Sequence, residues 1–196
     1  MAVVSLVSLF LNDSEILFET RSVPKVRAKS LAVVLTVKSK TLEFKAVQFK
    51  DKMNESMKVS SYGNIEDKER AYRINKFAKE RVKLLKNFKK GKNKLLDFGC
   101  GSGWFLEYAR KFYKCEGYEP TVLLAEHVNK KLNTEIYTDI KDLPKNCFDI
   151  ITMFDVLEHI ENVSLMIAKI YSLLREKGIL LLYIPNRNSF SFNYMK

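Results

Sequence analysis

Two hydrophobic periods alternate along the second half of the chain. Short apolar runs typical of buried strands are followed by stretches in which apolar residues recur every three or four positions, as in amphipathic helices. The predicted strands are KLLDFG, KCEGYE, TEIYTD, FDIITMFD and GILLLYIP, and the predicted helices are WFLEYARKFY, TVLLAEHVNKKL and NVSLMIAKIYSLLREK, the last closing at Gly178. Strands that alternate with helices in this way predict an α/β fold with a doubly wound parallel sheet.

The first half predicts a small β-rich extension and one basic helix. SLAVVLTVK and TLEFKAVQF alternate apolar and polar residues, which together with EILFET indicates a hairpin or meander. The stretch IEDKERAYRINKFAKERVKLLKNFKK has helical spacing and is expected to end at Gly91. We therefore divide the chain into an extension over residues 1–50, a polar linker over 51–64 and a domain over 65–196.

The composition is that of an ordinary globular protein. Of the 196 residues, 46% are hydrophobic and 29% are charged, which argues against a disordered chain. Three cysteines without CxxC spacing argue against a disulfide framework or a zinc cluster and favour a reducing cytoplasm. The apolar start MAVVSLVSLFL has no basic flank and is shorter than the roughly 20 residues that span a bilayer, so we predict no transmembrane segment.

The net charge of +11 is unevenly distributed. Residues 1–94 contain 22 Lys or Arg against 10 Asp or Glu, whereas residues 95–196 contain 12 against 13. Such asymmetry fits contact with nucleic acid or another anionic surface, and it equally fits a solvated lysine-rich surface. The solvated surface is the favoured interpretation.

A glycine-rich turn follows the first strand of the second half. In LLDFGCGSGW the glycines have the spacing G-x-G-x-G, with Asp97 before them and Trp104 after them. A dinucleotide fingerprint would need a glycine at position 104, and a P-loop would need Gly-Lys-Ser or Gly-Lys-Thr. Glycines tolerate positive φ and allow a ligand to approach the backbone closely, so the turn predicts a nucleotide-type site.

Acidic residues close the next two predicted strands. Glu119 could accept hydrogen bonds from both hydroxyls of an unphosphorylated ribose, and Asp139 could accept one from an adenine amino group. For Asp139 the role of a helix cap also remains open. Because no basic residue adjoins the glycines, a cationic adenosyl ligand without phosphates fits better than NADP or ATP.

These motifs resemble those of the class I S-adenosylmethionine-dependent methyltransferases. LLDFGCGSG is similar to their first motif, GYEP to the ribose-binding second and CFDIITMFDVLEHI to the fourth-strand segment. The combination of FDVLEHI with IPNRNSF resembles the branch that includes the ubiquinone-biosynthesis O-methyltransferases. The resemblance covers residues 65–196 and implies a Rossmann-like sheet of the methyltransferase type.

The resemblance also implies a cofactor and its contacts. The turn residues would pack against the methionine and ribose parts of S-adenosylmethionine, whose product after transfer is S-adenosylhomocysteine. These turn residues are Gly99, Cys100, Gly101, Ser102 and Gly103. Asp97 would brace the turn and meet the amino group of the cofactor.

Further contacts follow from the same resemblance. Glu119 would bind the ribose hydroxyls, and Asp139 with Ile140 would frame the adenine. Phe154 would lie against the methionyl arm near the sulfonium, where an aromatic face favours a cation. Arg73 would reach the carboxylate of the cofactor, or it is one more surface arginine on a basic helix.

Three residues after the fourth strand form the pattern D-x-x-E-H. If a helix begins near Asp155, then Asp155, Glu158 and His159 share one face of it. His159 could act as a general base, since its ordinary pKa is near 6.5. Alternatively the three side chains ligate a divalent metal, which we do not favour, or they cap and support the loop.

The methyl acceptor is narrowed by motifs that the sequence lacks. No Asn-Pro-Pro-Tyr, Asp-Pro-Pro-Tyr or Pro-Cys pair follows the fourth strand, so methylation of nucleobase amino groups or of cytosine carbon is disfavoured. We predict transfer to an oxygen of a small molecule or glycan-type acceptor. The alternatives are a non-catalytic or weakly active cofactor-binding scaffold and, less favoured, an RNA methyltransferase.

The fifth strand is followed by only eleven residues after Pro185. The sheet of the family normally continues with a helix and two more strands, one of them antiparallel. A bare fifth strand would be an exposed apolar edge open to pairing or oligomerisation. We expect either the N-terminal strands or a partner to cover it, or the sequence to be a fragment, which is the favoured interpretation.

Overall fold

Strands and helices alternate through the second half of the chain, as their periodicity predicts. The structure of the protein is a computed structural model. The residues that it describes are 10–11, 14–15, 30–38, 41–48, 72 and 74–185. The predicted linker over residues 51–64 and Arg73 lie outside the described residues.

The elements are numbered here in chain order. The strands are β1 (Phe10–Leu11), β2 (Ser14–Glu15), β3 (Ser30–Lys38), β4 (Thr41–Gln48), β5 (Lys94–Phe98), β6 (Lys114–Tyr118), β7 (Ile136–Tyr137), β8 (Phe148–Phe154) and β9 (Leu174–Pro185). The helices are α1 (Lys79–Lys86), α2 (Trp104–Ala109), α3 (Val122–Leu132) and α4 (Val163–Leu173). A π-helical segment, Ile74–Ala78, leads into α1, and a short 3-10 turn, Leu157–His159, follows β8.

A seven-stranded sheet organises the fold. Its strand order is β4-β3-β9-β8-β5-β6-β7, and the pairs among β5 to β9 are all parallel. The strand order reverses beside β5, so β6 and β7 lie on one side of it and β8 and β9 on the other. This arrangement confirms the predicted doubly wound parallel sheet.

Helices cover both faces of the sheet. Neighbouring residues of the central strands point to opposite sides, and both sides carry apolar side chains that need cover. Leu96, Ile151 and Leu180 belong to the core cluster that includes the apolar face of α4. Leu95, Ile150 and Leu181, one residue away in each case, belong to the cluster formed with α1, α2 and α3. Both faces of the strands are buried, which explains why they read as continuous apolar runs.

The N-terminal strands complete the sheet beside β9. Strand β3 pairs with β9 in antiparallel register from Ser30 opposite Pro185 to Thr36 opposite Ile179, and β4 pairs with β3 in a hairpin. Leu35 of β3 is only 5% exposed and belongs to the core. The edge of the fifth strand is therefore not bare, and the N-terminal strands cover it, which is one of the three alternatives expected from the sequence. The hairpin occupies the place where the family resemblance implies two further strands, one of them antiparallel.

Helix α4 ends earlier than predicted. The helical pattern was expected to run to Gly178, but the backbone turns extended at Leu174 (ψ 142°), which begins β9. Leu174 is buried and pairs with Phe148, so tertiary packing overrides the local helical pattern. Gly178 lies within β9, where an added Cβ would stand 2.7 Å from the carbonyl oxygen of Arg175.

The basic helix before β5 also ends earlier than predicted. Its α-helical part stops at Lys86, and Asn87 and Phe88 form a turn in which their N–H groups bond to the carbonyls of Leu84 and Leu85. Gly91 adopts a positive φ of 91° in the loop that follows. The chain therefore uses this glycine to turn into β5 rather than to cap the helix.

Candidate functional site

The glycine turn lies at the carboxyl end of β5, beside the point where the strand order reverses. Gly99, Gly101 and Gly103 all have positive φ, of 80°, 52° and 75°. The N–H groups of Gly99 and Cys100 donate to the carbonyl oxygen of Tyr118 at 2.8 and 3.0 Å, which ties the turn to the end of β6. Ligands of doubly wound sheets bind at this edge.

The three glycines are needed for two different reasons. An added Cβ at Gly99 would lie 2.5 Å from a methyl of Val156, and one at Gly103 would lie 2.7 Å from a methyl of Val128. At Gly101 the position of an added Cβ is open, with no heavy atom within 4 Å. Gly99 and Gly103 therefore allow close packing, whereas Gly101 serves the positive φ of the turn and has open space beside it.

Glu119 is the carboxylate that braces the turn. It is 7% exposed, and its two oxygens accept the N–H of Gly101 at 3.0 Å and the N–H of Thr121 at 2.9 Å. Each carboxylate oxygen can accept a second hydrogen bond. Glu119 can therefore hold the turn and still accept from a hydroxyl of a ligand.

Asp97 lies beneath the turn and is fully enclosed. Burial raises the pKa of this carboxyl to about 7, while the hydroxyl of Thr152, which donates to it at 2.7 Å, and the charge of Arg81 lower it. The nearby charge of Glu119 raises it further. Asp97 was predicted to brace the glycine turn, but its hydrogen bond goes to β8, and Glu119 holds the turn instead.

Arg81 is a buried cation beside Phe154 and Trp104, and no motif in the sequence indicated it. It is 5% exposed, and its guanidinium carbon lies 4.1 Å from the ring centre of Phe154, 4.7 Å from that of Tyr183 and 5.1 Å from that of Trp104. Its Nη2 is 3.6 Å from a carboxylate oxygen of Asp155. The aromatic faces and the carboxylate supply the partners that a buried cation needs.

The signal for Arg81 is visible in the helical pattern. Its neighbours on the apolar stripe of the helix, Ala78, Val82 and Leu85, are all buried. Position 81 completes that stripe, four residues after Phe77 and four before Leu85. An arginine on the buried face of an otherwise lysine-rich helix stands out, because such a residue needs partners inside the protein.

Phe154 is the last residue of β8, at the same carboxyl ends of the strands as the glycine turn. Its ring contacts that of Phe105 edge-on, with the ring centres 4.9 Å apart, while its face is turned to the guanidinium of Arg81. The predicted contact with a sulfonium places a second cation against the same ring. Arg81 and Phe154 must therefore be considered together in any account of ligand binding.

The D-x-x-E-H residues do not lie along a continuous helix. Asp155 has a left-handed backbone (φ 56°), and only the 3-10 turn over residues 157–159 follows. All three residues are exposed, but the part of Glu158 that is shielded from water, together with the charge of Asp155, raises the pKa of its carboxyl. The condition for a shared helical face, an α-helix that begins near Asp155, is not met. The catalytic roles of Asp155, Glu158 and His159 stay predictions.

Four predicted site residues remain, two in the glycine turn itself and two after β7. Asp139 is exposed and accepts the N–H of Lys141 at 2.8 Å, an Asx-type turn that leaves its second oxygen available. Ile140 is half-buried against the core. Cys100 is buried beneath the turn, where burial and two nearby carboxylates raise the pKa of its thiol, and Ser102 is half-buried. Their predicted contacts with a cofactor stay predictions.

No metal centre is found within the described ranges. Among these residues, no three His, Cys, Asp or Glu side chains come close enough together to hold a metal ion, and this includes the D-x-x-E-H segment. The three cysteines are free thiols. None of the described helices combines the length and the hydropathy needed to cross a membrane.

Comparison with protein families agrees with this geometry. A family model described as a methyltransferase domain matches residues 69–195, which include the whole glycine turn and the strands β5 to β9. The chain belongs to this methyltransferase domain family.

Individual relatives are more distant. The ubiquinone biosynthesis O-methyltransferase of Rhodopseudomonas palustris is 30% identical over 107 residues, which cover 50% of this chain and 42% of that protein. The mitochondrial protein of that name from Rattus norvegicus is 27% identical over 112 residues, which cover 50% of this chain and 32% of that protein. The chain thus spans less than half the length of these curated relatives.

A solved structure shares the fold. The crystal structure of Streptomyces venezuelae DesVI superposes with a TM-score of 0.50 at 22% identity, covering 58% of this chain and 51% of the other.

Proposed function

We propose that this chain binds S-adenosylmethionine and transfers its methyl group to an oxygen of a small-molecule or glycan-type acceptor. The observation that carries the proposal is the glycine turn itself. Open space lies beside Gly101 at the end of β5, and its N–H donates to the buried carboxylate of Glu119. Membership in the methyltransferase domain family supports the same cofactor.

The residues present fit the chemistry of that cofactor. The buried polar side chains among the described residues are Arg81, Asp97, Glu119 and Thr152. Two carboxylates suit the ribose hydroxyls and the amino group of an adenosyl ligand, and Arg81 supplies one cation for its carboxylate. When bound, the cofactor would supply a methyl carbon activated by a sulfonium. The protein's part is to align the acceptor oxygen with that carbon, which accounts for much of the rate in such displacements.

Acid-base assistance would come from the segment after β8. The imidazole of His159 is exposed next to Glu158 and could take the proton of an acceptor hydroxyl as the new C–O bond forms. A fixed base is optional, because water can take this proton. We therefore expect His159→Ala to lower turnover, but by less than a substitution that abolishes cofactor binding.

The test is to separate binding from turnover. Titration calorimetry with S-adenosylmethionine is expected to show saturable binding, and incubation with candidate hydroxyl acceptors is expected to release S-adenosylhomocysteine. Binding without product across a broad acceptor panel would favour the non-catalytic scaffold. Binding of NAD in place of the adenosyl sulfonium would overturn the proposal.

Arg81 is proposed to pair with the carboxylate of the methionyl arm. Replacing Arg81 by methionine is expected to weaken binding of S-adenosylhomocysteine roughly 10- to 100-fold, the cost of losing a charged hydrogen bond in a buried site. Binding of 5′-methylthioadenosine, which lacks the amino acid arm, should stay unchanged. Titration calorimetry with both ligands measures this difference.

Lys79→Met is the matched control, because Lys79 is exposed on the same helix. It is expected to leave the affinity for both ligands unchanged. Equal weakening of both ligands by Arg81→Met would show instead that Arg81 only maintains the packing of Phe154 and Trp104.

A further inference from the structure

In the part of the chain that the structure describes, the seven-stranded sheet has a long strand at one edge. Strand β7, at one end of the sheet, has only two residues, whereas β4, at the other end, has eight. Within the described ranges, β4 pairs with β3 only. A long edge strand presents a row of backbone N–H and C=O groups that can pair with another strand.

Two opposite charges stand near the middle of this strand. Glu43 and Lys45 flank Phe44, and the hairpin register places them opposite Thr36 and Val34, which carry no charge. The cross-strand pairs of the hairpin therefore do not use the charges of β4. By register alone, both positions can also stand opposite residues of a strand that is added on the other side of β4.

The sequence of β4 is complementary to itself in one antiparallel register. When two copies of the strand are centred on Phe44, Glu43 of each copy stands opposite Lys45 of the other, and Leu42 stands opposite Ala46. Centring on Glu43 or on Lys45 would instead place like charges opposite each other. Registers shifted by one residue would mix the two faces of the sheet.

In this register the two copies would be related by a two-fold axis at Phe44, next to a core residue of β3. Phe44 is paired in the hairpin with Leu35, which is 5% exposed and packs in the core. Opposite residues of an antiparallel pair lie on the same face of a sheet. Two copies joined at Phe44 would thus extend the apolar face of one sheet into that of the other.

We propose that two copies of this chain associate through β4 in the antiparallel register centred on Phe44, which joins their sheets into one. A two-fold contact of this kind uses the same surface on both copies and closes on itself. From the sequence, oligomerisation was considered possible through an exposed fifth strand. Because β3 covers that strand, the association moves outward to β4.

The proposal predicts a concentration-dependent dimer of the full chain. Sedimentation velocity is expected to show a species of twice the 22.8 kDa mass, in equilibrium with monomer. Lys45→Glu and Glu43→Lys each replace two attractive pairs by two repulsive ones, so each is expected to raise the dimer dissociation constant about tenfold. The double variant, in which the two charges are exchanged, is expected to restore the wild-type constant.

Lys38→Glu is the matched control, because it makes the same change of charge on β3, outside the proposed contact. It should leave the dimer unchanged, and circular dichroism should show that all variants are folded. A wild-type protein that stays monomeric at its highest soluble concentration would overturn the proposal. So would a double variant as weak as the single ones, or open-ended growth beyond the dimer.

Discussion

Replacing Glu119 by alanine is expected to weaken binding of S-adenosylmethionine by about 100-fold or more. The buried carboxylate holds the N–H groups of Gly101 and Thr121 and is proposed to accept from the ribose hydroxyls as well. Alanine removes both functions and leaves two N–H groups without their acceptor. Titration calorimetry should show the loss equally for 5′-methylthioadenosine, which keeps the ribose.

A ribose analogue separates the two functions of Glu119. The 2′-deoxy form of 5′-methylthioadenosine should bind the wild-type protein more weakly than the parent, but should lose little further affinity in the alanine variant. Glu126→Ala, an exposed carboxylate on α3, is the control and should bind normally. An unchanged penalty for the deoxy analogue in Glu119→Ala would mean that Glu119 acts only on the shape of the turn.

The glycine turn could be predicted because its requirements are local. Gly99, Gly101 and Gly103 follow a buried strand directly, and each adopts the positive φ that glycine tolerates. Glu119 closes the next strand, so the parallel order brings it to the same edge. Motif and topology together were enough to place the turn and its carboxylate next to each other.

The position of the hairpin was only one of three alternatives that the sequence left open. Its two strands show a clear alternating pattern, but nothing in that pattern specifies β9 as the partner of β3. The pairing of Leu31 with Ile184 joins residues far apart in the chain. Such contacts depend on which apolar edge the rest of the fold leaves open, and that information is not local.

Helix ends and loop backbones were predicted less well because tertiary contacts decide them. Leu174 fits the helical period of α4, yet its burial against the core and its pairing with Phe148 begin a strand. Asp155 adopts a left-handed backbone, and its N–H donates to the carbonyl oxygen of Tyr183 at 3.1 Å. A sequence pattern within one element carries no information about either partner.

Asp97 gives the protein a specific dependence on pH. Its pKa is raised from 3.8 to about 7, chiefly by burial, so the folded protein binds a proton that the unfolded chain releases between these values. The contribution of this proton to the free energy of unfolding is therefore fully present below pH 4 and is lost as the pH rises through 7. It amounts to roughly 4 kcal/mol at most. Asp97→Asn, which has no charge to bury, is expected to be more stable than wild type at pH 8 in thermal or urea unfolding.

Cofactor binding should show the opposite trend, because the cationic amino group is proposed to meet the ionised form of Asp97. The affinity for S-adenosylhomocysteine is expected to rise up to about tenfold per unit between pH 5 and 7 and then level off. Thr152→Val removes a hydrogen bond that lowers the pKa of Asp97, so the midpoint should move to higher pH. Binding of 5′-methylthioadenosine, without the amino group, should stay flat. If Asp97→Asn kept the slope, another group would be titrating, and Asp97 would have no contact with the amino group.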